Sequence, residues 1–143
     1  MAVTISLYNH TAAKFADGSF AAADTYKVKL LTAATFDATH TTLAGTAGTE
    51  STTATGYTAG GQALASVAVT TVTTNDAKFD ADDLTWSASG GAITASFAIL
   101  YNNTEAADPP VAFIDFGGSE SAGDGTDFII VWNASGIFTW TVA

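Results

Sequence analysis

The sequence contains no cysteine and no arginine. Without cysteine there can be no disulfide, thiolate metal site or cysteine nucleophile, and the redox compartment is left open. Without arginine, Lys14, Lys27, Lys29 and Lys78 stand alone against fourteen acidic residues, and the formal net charge is −10. Affinity for phosphate backbones comes from Lys and Arg releasing counterions, so nucleic acid is not expected as a partner, and an anionic membrane surface is disfavoured for the same reason. Long apolar runs are missing too. None is longer than FIIVW at 128–132, which falls far short of the roughly 20 residues a spanning helix needs. The N-terminal MAVTISLYNH has neither a basic region nor a long apolar stretch, so no secretory signal is expected. Charge of either sign is sparse: 13% of residues are charged, about half the usual share. Much of the surface must then be Thr, Ser, Ala and Gly, a composition suited to close contact with other protein.

What is present is apolar alternation. Apolar residues make up 48% of the 143 positions, which argues against disorder and is enough for one domain spanning 1–143. VTISLY puts Val3, Ile5 and Leu7 on one face, and TYKVKLL puts Tyr26, Val28 and Leu30 inward with Lys27 and Lys29 outward. Further strands are predicted at 66–73, 77–80, 84–88, 92–101, 111–116, 126–133 and 137–142, between clusters of Gly, Ser, Asn, Asp and Pro. Helix signals are confined to NHTAAKFAD at 9–17 and FDATHTTLA at 36–44. The expectation is an all-β, antiparallel β-sandwich, a jelly roll of about eight strands with one or two short helices. Residues 33–65, rich in Gly, Thr and Ala, read as a long loop excursion, either a surface loop or a site of main-chain recognition by strand addition.

One phrase occurs twice: LTWSASGGAITASF at 84–97 and DFIIVWNASGIFTW at 127–140. In each, Ala-Ser-Gly sits between two apolar runs, where Gly90 and Gly91, or Gly136, can supply the positive φ of a tight hairpin. Trp86 and Trp132 then end the first strand of each hairpin and pack across the returning strand. In the first hairpin Ile93, Ala95, Phe97 and Ile99 alternate with Thr94, Ser96 and Ala98, the pattern of a strand wet on one side. In the second, Ile129 and Val131 share a strand with Phe128, Ile130 and Trp132, so both faces are apolar. Such a strand must be covered twice, by the 33–65 segment or by another subunit. The candidate interface is therefore Phe128, Ile129 and Val131 together with Val3, Ile5 and Leu7, and self-association as a dimer or trimer is expected.

Groups for chemistry are few. His10 and His40 are the only histidines, both in predicted helices or caps, and Ser89 and Ser135 lie outside a Gly-x-Ser-x-Gly frame. Asp76, Asp80, Asp82 and Asp83 gather oxygen ligands for a hard cation such as calcium but lack the central Gly and closing Glu of an EF-hand loop, and read as a solvated acidic turn. Asp115 interrupts the apolar VAFIDFGG, which marks a strand end or bulge, or a bond to backbone donors. Trp86, Trp132, Trp140 and the tyrosines raise carbohydrate binding, but each Trp falls within an apolar run, which favours core or interface over an open stacking platform. Sequons at Asn9, Asn102 and Asn133 matter only in a eukaryotic secretory setting. No catalytic residue, cofactor or metal ligand is assigned.

TYKVKLLTAATFDATHTTLA, GYTAGGQALA, WSASGGAITASFAILYN, VAFIDFGG and TDFIIVWNASGIFTW together resemble a family of small virion structural proteins of tailed bacteriophages, over about residues 5–140. The resemblance implies a capsid decoration, or cement, protein with a jelly-roll fold and no catalytic motif. Such a protein binds the major capsid protein on the outside of the shell, at junctions between subunits, after being made in the host cytoplasm. The alternatives are a head-fibre, tail or neck component, a carbohydrate-binding module, or a small hydrolase with His10 or His40 beside an acidic residue in a pocket.

Overall fold

The computed structural model describes residues 2–73 and 75–141. Among these the chain forms β1 (Thr4–Leu7), α1 (Thr11–Ala16), β2 (Tyr26–Ala34), β3 (Gly48–Glu50), β4 (Gln62–Ala63), β5 (Ala68–Thr73), β6 (Asp76–Asp80), β7 (Leu84–Ser87), β8 (Ile93–Asn102), β9 (Pro110–Ala122), β10 (Asp127–Ile130) and β11 (Phe138–Trp140). The last predicted strand, 137–142, ends at a residue outside the described ones.

The fold is the expected antiparallel β-sandwich. One layer is a large sheet in the order β1-β9-β8-β2-β3, with β4 also paired to β2. The other layer is divided between the pair β10-β7 and the three strands β11-β6-β5. The alternation in β2 explains the arrangement: Tyr26, Val28 and Leu30 are fully buried, and they share one core with Phe79 and Phe138 of the three-stranded sheet and Leu84, Trp86, Phe128 and Ile130 of the pair.

The two copies of the repeated phrase do not form hairpins. Their first strands pair with each other, Trp86 opposite Phe128 and Leu84 opposite Ile130, while β8 pairs with β2 and β9 and β11 pairs with β6. The glycines do take positive φ, 82° at Gly90, 155° at Gly91 and 102° at Gly136. The turns they make pass the chain from one sheet to another. The runs on either side of each turn thus bury their apolar residues against the same core from different sheets.

β8 also departs from the expected pattern. Its pairing with β9 shifts register between Ala95 and Phe97, and a bulge there reverses which face each later side chain takes. Ile93, Ala95, Ala98 and Leu100 join the main core. Phe97, Ile99 and Tyr101 meet Tyr8, Leu31 and Phe113 on the opposite side of the sheet. The strand is therefore covered on both faces, not wet on one.

The second cover comes from the 33–65 excursion. Phe36 and Leu43 pack on that outer cluster, and the Phe36 ring lies 5.2 Å from Tyr8. The helix expected over 36–44 does not form. Asp37 accepts hydrogen bonds from the Thr39 amide at 2.9 Å and its hydroxyl at 2.6 Å, and the Thr42 hydroxyl accepts from the Gly45 amide. Local side-chain bonds of this kind compete with a helical ladder, and only a 3-10 turn at Leu43–Gly45 remains. The first predicted helix survives as the short α1. Strand addition does occur in the excursion, but within the chain: β3 and β4 both pair with β2.

Candidate functional site

β1 and β10 are both edge strands. Among the described residues β1 pairs only with β9, from Thr4 opposite Asp115 to Leu7 opposite Ala112. β10, again among the described residues, pairs only with β7. Between them runs a groove of about 680 Å³, lined by Val3 just before β1, by Ile5 of β1, by Ile114, Phe116 and Glu120–Ala122 of β9, and by residues 127–133.

The lining distinguishes faces from edges. Successive side chains of a strand point to opposite sides, so a strand that lines a groove with alternate residues presents a face, and one that lines it with consecutive residues presents an edge. Val3 and Ile5 are alternate; residues 127–133 are consecutive. The groove therefore runs along the open edge of β10.

Five of the six residues expected at an interface meet here: Val3, Ile5, Phe128, Ile129 and Val131. Leu7 does not line the groove and packs half-buried against the main core. Phe128 contributes little exposed surface, because its ring turns inward to Trp86 at 6.3 Å and Phe116 at 6.1 Å. Val3, Ile129 and Val131 remain 60%, 52% and 71% exposed. The 33–65 segment was the other candidate to cover the outer face of β10, but its Phe36 and Leu43 lie on the large sheet and none of its residues lines the groove.

Sequence reading missed Glu120 and Asp127, the carboxylates of this groove. Asp127 accepts a hydrogen bond from the Ser87 hydroxyl at 2.7 Å. The only signal for Glu120 lay in VAFIDFGG. In the β8–β9 ladder Glu120 stands opposite Ala95 and Asp115 opposite Phe97, so residues 116–119 bulge out. Asp115 marks that bulge and accepts the Gly117 amide at 2.8 Å, which turns the end of β9 toward the groove.

The titratable groups considered for chemistry are dispersed. His10 Nε2 lies 2.7 Å from the Pro110 carbonyl and ties α1 to β9. His40 Nε2 is 4.0 Å from Asp37 Oδ2 within one loop, where the bonds from Thr39 hold the Asp37 carboxyl below its ordinary range. Neither histidine lines the groove. In the acidic turn Asp80 pairs with Lys78 at 2.8 Å, Asp82 accepts the Ser66 hydroxyl and Asp83 accepts the Trp132 amide. Among the described residues no three acidic or histidine side chains converge as a metal set.

Trp86 and Trp132 are buried and offer no free face to a sugar. Trp140 is half-buried and meets Phe15 edge-on at 4.9 Å. Among the described residues no helix is long and apolar enough to cross a membrane. Comparison with protein-family models, with curated proteins and with solved structures gave no match.

Proposed function

We propose that this protein acts by adhesion, as a non-enzymatic decoration protein on the outside of a tailed-phage capsid, bound at junctions between major capsid subunits. The observation that carries the reading is the gathering of Val3, Ile129 and Val131, all exposed, around one groove between two open strand edges. Exposed aliphatic side chains cost little singly, whereas a cluster rimmed by polar residues marks an interaction surface. Each side chain covered by a partner contributes on the order of 1 kcal/mol, and many copies on one shell act together by avidity. The resemblance of five separate phrases to virion structural proteins names the setting. A net charge of −10 suits the outer surface, since an acidic protein is not drawn to packaged DNA.

The test is co-purification. The wild-type protein should sediment with intact particles at a copy number comparable to the shell protein. Ile129→Asp/Val131→Asp should abolish that association while leaving the circular dichroism of the free protein unchanged. Absence from mature particles, or undiminished binding by the double variant, would refute the reading.

A further inference from the structure

We infer that the groove is a strand-addition site, which takes an extended, basic segment of a partner protein against the free edge of β10. The inference rests on the adhesion reading and says what is grasped.

Three observations carry it. All four consecutive residues of β10, 127–130, line the groove, as an edge does and a face does not, and β7 occupies the other edge. Proteins commonly blunt an exposed edge with Lys, Pro or a bulge, and Phe128–Val131 has none of these. Opposite the edge stand Ile5, Ile114 and Phe116, an apolar wall that suits every second side chain of an added strand.

The groove's charge selects among occupants. Its lining holds the carboxylates Glu120 and Asp127 and no lysine. A second copy of this chain would bring the same two carboxylates, its own net charge of −10 and no cation on its β10 edge. A segment alternating aliphatic residues with Lys or Arg supplies what is missing. Its main chain completes the sheet, one face lies on the apolar wall, and its cations reach the acidic rim.

The probe is the capped peptide Lys-Val-Lys-Val-Lys-Val, titrated into the isotope-labelled full chain and followed by amide shifts and hydrogen exchange. Binding should perturb and protect residues 127–131, and should weaken at least tenfold in Glu120→Lys/Asp127→Lys and in Ile129→Asp/Val131→Asp. The Glu-Val repeat should bind at least tenfold more weakly. Alternate amides of a strand point to opposite edges. Two N-methylated versions, blocked at the valine or at the lysine amides, should therefore differ, with at least one losing binding. Retained binding by both would overturn strand addition, as would equal binding of the Glu-Val repeat. Self-association that protects residues 127–131 would overturn it in favour of a second copy. If particles carry the protein but exchange at 127–131 is unchanged, adhesion stands and strand addition falls. If the peptide binds in the groove but no particle carries the protein, strand addition is supported and the virion assignment falls.

Discussion

Trp86 and Phe128 stand directly opposite each other on β7 and β10, their rings 6.3 Å apart and inclined at 71°. They lie on the first strands of the two copies of the repeated phrase, which pair with each other as a two-stranded sheet although Trp86 matches Trp132 and not Phe128 in the repeat. This pair also holds β10 in place, and with it the exposed Ile129 and Val131.

The contact can be measured as a coupling. Trp86→Phe and Phe128→Leu should each destabilise the protein, and the double variant should lose less than the sum. The interaction should be about 0.5–1.5 kcal/mol by urea unfolding. Strict additivity would show that the two rings do not support one another.

Besides the pairing of β3 and β4 with β2, the Tyr57 hydroxyl ties the excursion to the large sheet. The Tyr57 hydroxyl accepts from the Leu30 amide at 3.0 Å and donates to Glu50 Oε1 at 2.7 Å. Leu30 lies in β2 beside the place where pairing with β3 shifts register, between Leu31 and Ala33. Tyr57→Phe leaves a buried amide without its partner and should cost about 1–3 kcal/mol, read as a lower denaturation midpoint with an unchanged m-value. An unchanged midpoint would mean that water takes over the bond.

Two glycines should respond in opposite directions to alanine. At Gly61, with φ +80°, an added Cβ would stand 1.8 Å from the Val28 carbonyl oxygen, so backbone would have to move. Gly61→Ala should destabilise by about 2 kcal/mol or more. At Gly123 nothing lies within 4 Å and φ is not positive, so alanine there should stabilise by about 0.4–1 kcal/mol through the unfolded chain. Thermal melts of the two variants on either side of the wild type would confirm this; a shared direction would contradict it.

Alkaline pH should unfold the protein and ionise its tyrosines in a single coupled transition. Burial, with help from Asp37, pushes the Tyr8 phenol up to about 12, and burial with Asp108 and Glu50 does the same for Tyr101. Burial raises Tyr26 and Tyr57 as well. These are all the tyrosines of the chain. A folded state that keeps its phenolic protons while the unfolded chain releases them loses stability as pH rises above about 10, the ordinary phenol value, toward about 12. Phenolate absorbance should therefore appear together with loss of the circular dichroism signal, in one transition. Phenolate appearing near pH 10 in a still folded protein would contradict this.

Much of the architecture was legible from local pattern. Tyr26, Val28 and Leu30 alternate with Lys27 and Lys29, and a period of two fixes which side chains point inward wherever the strand lies. The exposed part of the candidate site was legible for the same reason, since Ile129 and Val131 share the parity that Phe128 and Ile130 do not. The faces of β8 were not legible, because a bulge at one residue reverses every later side chain and Ala95-Ser96-Phe97 carries no composition that announces it. The 36–44 segment misled because Asp37 and Thr39 bond locally in a way that resembles a helix start.

The sequence by itself determined that this is a β protein short of charge, with turns at Gly90 and Gly136 and an apolar stripe on the strand beginning at Asp127. Those properties depend on neighbours along the chain. Only the tertiary structure decided that the arms of the two repeated turns separate into different sheets, that the 33–65 segment covers β8 and not β10, and that Val3 comes to lie across a groove from Val131. Pairing between distant strands depends on which combination buries the most apolar surface at once, and no local window of residues contains that comparison.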